Sequence, residues 1–155
     1  MQTQDRIFQW NNDESMKCSL CNGCMDSHDH LFFQCSFVSS VWDLIKGRSY
    51  IHALKPNWSE NIEQMATNNS NTIKSVVSRL VFGSLVYFTW QERNKRQFTN
   101  EKRSSQELAN IIMDTVKMRL IGLKVLNSAN VQMVAKDWDI TFKNCSKSII
   151  CVQGS

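Results

Sequence analysis

Two cysteines with two residues between them, Cys18 and Cys21, are followed by His30 and, four residues beyond it, by Cys35. This spacing, Cys18-x2-Cys21-x8-His30-x4-Cys35, constrains the first third of the chain more than any other feature. Two thiolates held on one tight turn can grip a metal ion, and a later His and Cys can close a tetrahedron from the other side. Three sulfurs and one nitrogen suit Zn2+, with Zn–S near ~2.3 Å and Zn–N near ~2.0 Å. Residues 17–42 hold four of the six cysteines and two of the three histidines, more clustering than the packing of free cysteines requires. Cys24 and His28 are rival ligands in the same stretch, although three cysteines so closely spaced crowd one turn. Four protein ligands leave no open position, which favours structural Zn2+ over hydrolytic chemistry.

The 155 residues suffice for one domain with a real core, and 42% apolar with 21% charged residues is a globular balance. One proline and five glycines favour helices over a turn-rich β sandwich. The net charge of +4 is compatible with nucleic acid without demanding it. The start MQTQDRIFQW has no apolar signal region, and no apolar run reaches the ~20 residues of a membrane span. The expectation is an intracellular chain, in nucleus or cytoplasm, without a membrane partner. Clustered cysteines in such a reducing compartment read as metal ligands before disulfides.

The pattern predicts a mainly α protein: a small zinc-binding N-terminal module followed by a long antiparallel helix pair. Residues 1–47 form the module. It opens on a short helix at 3–11 and carries a helix from Ser36, with Phe37, Val41, Leu44 and Ile45 at helical spacing and Gly47 as its stop. Asn22 and Gly23 supply the left-handed backbone that a metal-binding turn needs. Residues 48–71 read as a linker with a short helix at 59–66, and 67–71 as a mobile polar loop. Residues 72–126 read as a helical hairpin. Its first helix, about 72–98, is apolar nearly all round and therefore central; its second opens on a capping box, Ser104 and Glu107. Residues 127–155 read as a partly disordered tail, in which 131–140 fit a last short helix or a strand and 141–155 a loose end. Cys145 and Cys151 receive no ligand role.

These residues resemble a known family. CSLC followed by DHLFFQCSFVSSVW resembles the zinc-binding domain that follows the reverse transcriptase of plant LINE-type, non-LTR retrotransposons; the matching positions include Asp29, Leu31, Phe32, Phe33, Val41 and Trp42. Upstream, Thr3-Gln4-Asp5-Arg6 with Trp10 is similar to the family's T-x-D-R-x-x-x-W segment. Downstream, Trp90 to Phe98 is similar to its W-x-E-R-N-x-R-x-F segment. The resemblance implies zinc ligation by Cys18, Cys21, His30 and Cys35, and a parent polyprotein whose upstream reverse transcriptase domain is a partner. It also implies an N-terminally truncated copy, since the family domain begins further upstream, and with it the reading of a degenerate remnant. No Y-x-D-D polymerase signature is present, so the chain reads as a non-enzyme.

The leading functional expectation is a module that helps a retroelement enzyme hold RNA or DNA. Its candidate phosphate-binding surface is Arg93, Lys95, Arg96, Lys102 and Arg103, with Lys17 near the metal. Phe32 or Phe33 could stack an unpaired base; core packing is the competing role for both. Arg93 and Asn94 could equally hold the helix end by hydrogen bonds. A second class is a structural or protein-interaction module. A third is a nuclease-like acid cluster of Asp26, His28 and Asp29, against which a solvated loop is the simpler reading.

Overall fold

The computed structural model of the chain describes residues 17–67, 70–99 and 101–144. The helix expected at 3–11 and both Cys145 and Cys151 lie outside the described residues. The described chain is mainly helical: α1 (Ser36–Ile45), α2 (Trp58–Thr67), α3 (Ile73–Thr99), α4 (Ser105–Ile121) and α5 (Ala129–Trp138). A π-helical turn at His30–Gln34 precedes α1, and a 3-10 turn at Lys46–Arg48 follows it. Two short strands, β1 (Lys124–Val125) and β2 (Lys143–Asn144), pair in parallel, Lys124 opposite Lys143.

Helix α3 has 27 residues and is therefore about 40 Å long at the usual rise. Val77, Val81, Phe82, Leu85 and Val86 bury more than one of its faces, as an element with neighbours on several sides must. Helix α4 packs on both α3 and α1, and α5 packs on α3. Ser104 starts α4 with a full capping box: its hydroxyl accepts the Glu107 N–H, and the Glu107 carboxylate accepts the Ser104 N–H. The apolar stripe of α4, Leu108, Ile112, Val116 and Leu120, is completely buried. Each such side chain contributes roughly 1.5–3 kcal/mol by leaving water.

One apolar cluster runs without a break from Cys18 and Phe32 through Val41 and Leu85 to Trp138. The N-terminal module expected at 1–47 thus shares its core with the helical body. The segment expected as a linker bonds to its neighbours, with Gln34 donating to the Pro56 carbonyl and Ser78 to the Ser49 carbonyl, and it is ordered within itself. Asn61 is fully buried; its Nδ2 donates to the carbonyls of Lys55 and Asn57 while its Oδ1 accepts the Lys55 N–H, which fixes the Pro56 turn into α2.

Of the two forms expected at 131–140, a helix or a strand, the chain takes the helix, α5. Ser128 caps α5 by accepting the Val131 N–H. Val131, Val134 and Trp138 form its buried face, and the indole N–H of Trp138 donates to the Arg48 carbonyl. No glycine marks the end of this helix. Asp139 takes the left-handed backbone there, with φ of 50°.

Candidate metal centre

The first ligand pair comes from a knuckle. Lys17 and Met25 face each other across an antiparallel bridge, and the Cys18 N–H donates to the Cys24 carbonyl at 2.8 Å. Inside this loop the Asn22 N–H closes on the Cys18 carbonyl at 2.7 Å. Asn22 pays for the tight turn with φ of 57°; Gly23 does not need positive φ. The turn brings Cys18 and Cys21 to one side.

The second pair depends on the π-helical turn. In an α-helix, residues five apart diverge by about 140° around the axis. Here the Cys35 N–H bonds to the His30 carbonyl at 2.7 Å, the five-residue closure of a π turn, and the turn ends there. Cys35 is thereby brought back over His30, which accounts for the four residues between these ligands. Asp29 holds the turn from outside: its carboxylate accepts the Trp58 N–H at 2.6 Å, linking the loop to the start of α2.

The four candidate ligand atoms, three Sγ and one imidazole nitrogen, all lie within 4.8 Å of one another. Cys18 Sγ and Cys35 Sγ are 3.9 Å apart, and Cys21 Sγ lies 3.2 Å from His30 Nε2. A tetrahedron with Zn–S of ~2.3 Å and Zn–N of ~2.0 Å has S···S edges near ~3.8 Å and S···N edges near ~3.5 Å. The donor set therefore fits a metal of that size and preference. Cys18 and Cys35 are fully buried, His30 nearly so, and Leu20, Leu31 and Phe32 belong to the same buried apolar cluster as the two cysteines. Four protein donors complete the shell, so the arrangement can hold an ion but offers no position for a reacting water.

The electrostatics point the same way. The hydrogen bond from Cys35 pulls the Cys18 thiol down to about 5, against the opposing effect of burial. The same contact, with burial, pushes the Cys35 thiol up. Two buried sulfurs this close share one proton unless a cation lets both ionise, and a dication supplies that charge. The rival ligands stand apart from the set. Cys24 is exposed, and His28 stacks on Phe32 and lies tilted against Trp58, with ring centroids 6.2 and 5.9 Å away.

Of the five basic residues expected on a phosphate-binding surface, Arg93 and Arg96 are committed inside the protein, whereas Lys95, Lys102 and Arg103 reach solvent. Arg93 is 4% exposed, and its Nη2 lies 2.6 Å from the carboxylate of Asp26, itself 1% exposed. Its guanidinium also stacks on Trp90 and donates to the Asn94 side chain. Arg96 donates to the fully buried Glu92 and to the carbonyls of Leu20 and Arg103, and lies over the Phe37 ring. Glu92 also accepts the Arg103 backbone N–H at 2.8 Å. Lys95 pairs with Glu101, while Lys102 is exposed. Lys17 is exposed beside the knuckle. Arg93 and Arg96 thus clamp the metal loop to the end of α3 and the start of α4, the hydrogen-bonding role weighed above for Arg93.

One further expectation changes, and one open alternative is decided. Asp26 belongs to a buried ion pair and not to a solvated loop or an open acid cluster. Phe32 is 1% exposed and Phe33 is half-buried, stacked 6.2 Å from Phe82, so Phe32 serves the core. The buried pairing of Asp26 with Arg93 and the burial of Glu92 carry no local sequence signal, because the partners come together only in the fold. The recurring pattern W-x-E-R-N-x-R was the available clue: Trp90, Glu92, Arg93, Asn94 and Arg96 all take part in this clamp.

Residues 1–42 match the model of a family described as zinc-binding in reverse transcriptase. That match supports a reverse transcriptase zinc-binding domain at this end of the chain. No curated protein and no solved structure matches the chain.

Proposed function

We propose that this chain is a non-catalytic, Zn2+-stabilised accessory module of reverse transcriptase origin that holds single-stranded RNA or DNA for a retrotransposon enzyme of the plant LINE type. The observation that carries this reading is the closed cluster of Cys18, Cys21, His30 and Cys35, lying within a segment similar to zinc-binding domains of reverse transcriptases. Zn2+ is the ion because the donors are three sulfurs and one imidazole in a tetrahedron-sized cluster. Its role is structural, pinning the knuckle on which the Asp26–Arg93 and Leu20–Arg96 contacts depend. The nucleic-acid part rests on the family likeness and the basic excess of +4. Filter binding of single-stranded RNA and DNA across a salt series tests it. Binding that weakens steeply with salt is expected, and no binding at low salt overturns it.

A second reading, a protein-docking module, is favoured by Tyr87 at 53%, Met118 at 70% and Phe98 at 78% exposure on α3 and α4. It places these side chains against an upstream reverse transcriptase domain. Co-purification of the two domains, lost in Tyr87→Ser/Phe98→Ser, distinguishes it from nucleic-acid binding.

A further inference from the structure

Arg93 and Arg96 are turned inward, which leaves Lys95, Lys102 and Arg103 of the expected basic surface facing solvent. We infer that single-stranded nucleic acid binds in a groove formed by two adjoining cavities that share Lys46 and His52, on the outer side of α1 and the first turns of α3. This rests on the nucleic-acid reading above and gives it a location.

The first cavity has a volume of about 350 Å³ and is lined by Phe33, Trp42 and Leu54, with Ser39 and Lys46 at its polar side. The second, of about 330 Å³, is lined by Tyr50, Lys74, Thr72 and Ser75. Each is at the small end of the range for ligand sites, roughly 300–1,000 Å³. Each combines an aromatic side chain, a lysine and hydroxyl donors. Such a composition suits one unpaired nucleotide: the ring offers a stacking face, the ammonium a phosphate contact, and the hydroxyls bonds to base or sugar edges. Two such cavities in tandem suit consecutive nucleotides, with Lys46 and His52 between them where the linking phosphate would pass.

The groove is held open by the fold. Tyr50 has φ of 55°, a conformation that costs a non-glycine residue energy. It persists because the one hydroxyl hydrogen of buried Ser78 is shared among the carbonyls of Ser49 at 3.0 Å, Lys74 at 3.0 Å and Tyr50 at 3.3 Å, while Ser49 Oγ accepts the Ile51 N–H. The Tyr50 hydroxyl is anchored on Asp137, and Lys74 sits 5.7 Å from its ring centroid. Among the lining residues the charges are Lys46 and Lys74 against Asp43. Asp43 pairs with Lys46 at 2.6 Å, yet both side chains are more than half exposed. An exposed pair of this kind is worth ~1 kcal/mol or less, so a phosphate can compete for Lys46. The rival surfaces are the pair Lys124 and Lys143, placed side by side on β1 and β2, and Lys95, Lys102 and Arg103 between the end of α3 and the start of α4.

The test is fluorescence anisotropy with labelled oligouridylate and oligothymidylate in a salt series, using zinc-loaded protein. Lys46→Gln/Lys74→Gln is expected to weaken binding at least ten-fold and to reduce the salt slope by about 1.4, at ~0.7 per phosphate contact. Crosslinking of a thiouridine oligonucleotide to unaltered protein is expected to mark the peptides containing Trp42 and Tyr50, a readout that no folding defect can mimic. Full binding by the double variant, or loss instead in Lys124→Gln/Lys143→Gln with crosslinks at that end, overturns the groove and leaves the nucleic-acid reading standing. Failure of the unaltered protein to bind either oligonucleotide overturns both.

Discussion

Replacing Asp26 by alanine should destabilise the protein far more than an acidic loop residue beside a metal site would suggest. The carboxylate takes two donors from one guanidinium, Arg93 Nη2 at 2.6 Å and Nε at 3.2 Å. The side chains are 5% and 1% exposed, so water cannot replace the lost partner. Removing one member of such a pair leaves a buried charge and costs roughly 3–5 kcal/mol. A domain of this size has only about 5–15 kcal/mol in total. At ~2–4 °C per kcal/mol the melting temperature should fall by about 6–20 °C. Arg93→Met should cost a similar amount. The double variant Asp26→Leu/Arg93→Met should recover much of the loss, because it removes both desolvated charges together. Urea unfolding of the metal-loaded proteins, followed by far-UV circular dichroism, gives the differences from the midpoints at constant m. Single variants within ~1 kcal/mol of the parent, or strictly additive effects, would refute the view that this pair clamps the metal loop to α3.

Three other perturbations bear on separate parts of the structure. His30→Ala or Cys21→Ser should abolish stoichiometric metal binding and loosen the loop while α3 and α4 stay helical, since their apolar stripe does not include the ligands; complete loss of the helical signal would contradict this. Trp138→Ala should cost about 3–5 kcal/mol by emptying the space of the largest fully buried side chain among the described residues, whereas a loss below ~1 kcal/mol would contradict the docking of α5 on the core. The Glu107 carboxyl is held below its ordinary range, chiefly by the Ser104 N–H and then by the Ser104 hydroxyl. Its contribution is therefore present above the unfolded-state pKa and lost as pH falls through the folded value, so the stability gap between the parent and Glu107→Gln should close below about pH 4; an unchanged gap would contradict it.

The parts of this fold legible in the sequence were those governed by local rules. The spacing of Cys18, Cys21, His30 and Cys35 carried the metal cluster because two short turns place the ligands. Ser104 and Glu107 carried the start of α4 because a capping box is complete within four residues. The expected long helix at 72–98 corresponds to Ile73–Thr99, its apolar residues recurring at the helical period. Contacts between distant residues were not legible. Arg93 and Asp26 are 67 positions apart, and nothing near either one reports the other's approach. A basic run at a helix end is ordinarily solvated; here the metal loop covers Arg93 and Arg96, while Lys95 stays at the surface with Glu101. Helix α5 was partly legible, since Ser128, Val131, Val134 and Trp138 have cap and stripe spacing, but its left-handed stop at Asp139 lacked the usual glycine.

X-ray absorption at the zinc edge, on protein reconstituted with one equivalent of Zn2+, tests the central claim most directly. One tightly held ion per chain is expected, with three sulfurs near ~2.3 Å and one nitrogen near ~2.0 Å. A shell containing water or carboxylate oxygens, unchanged by Cys35→Ser, or no stoichiometric binding at all, would contradict a closed site built from Cys18, Cys21, His30 and Cys35.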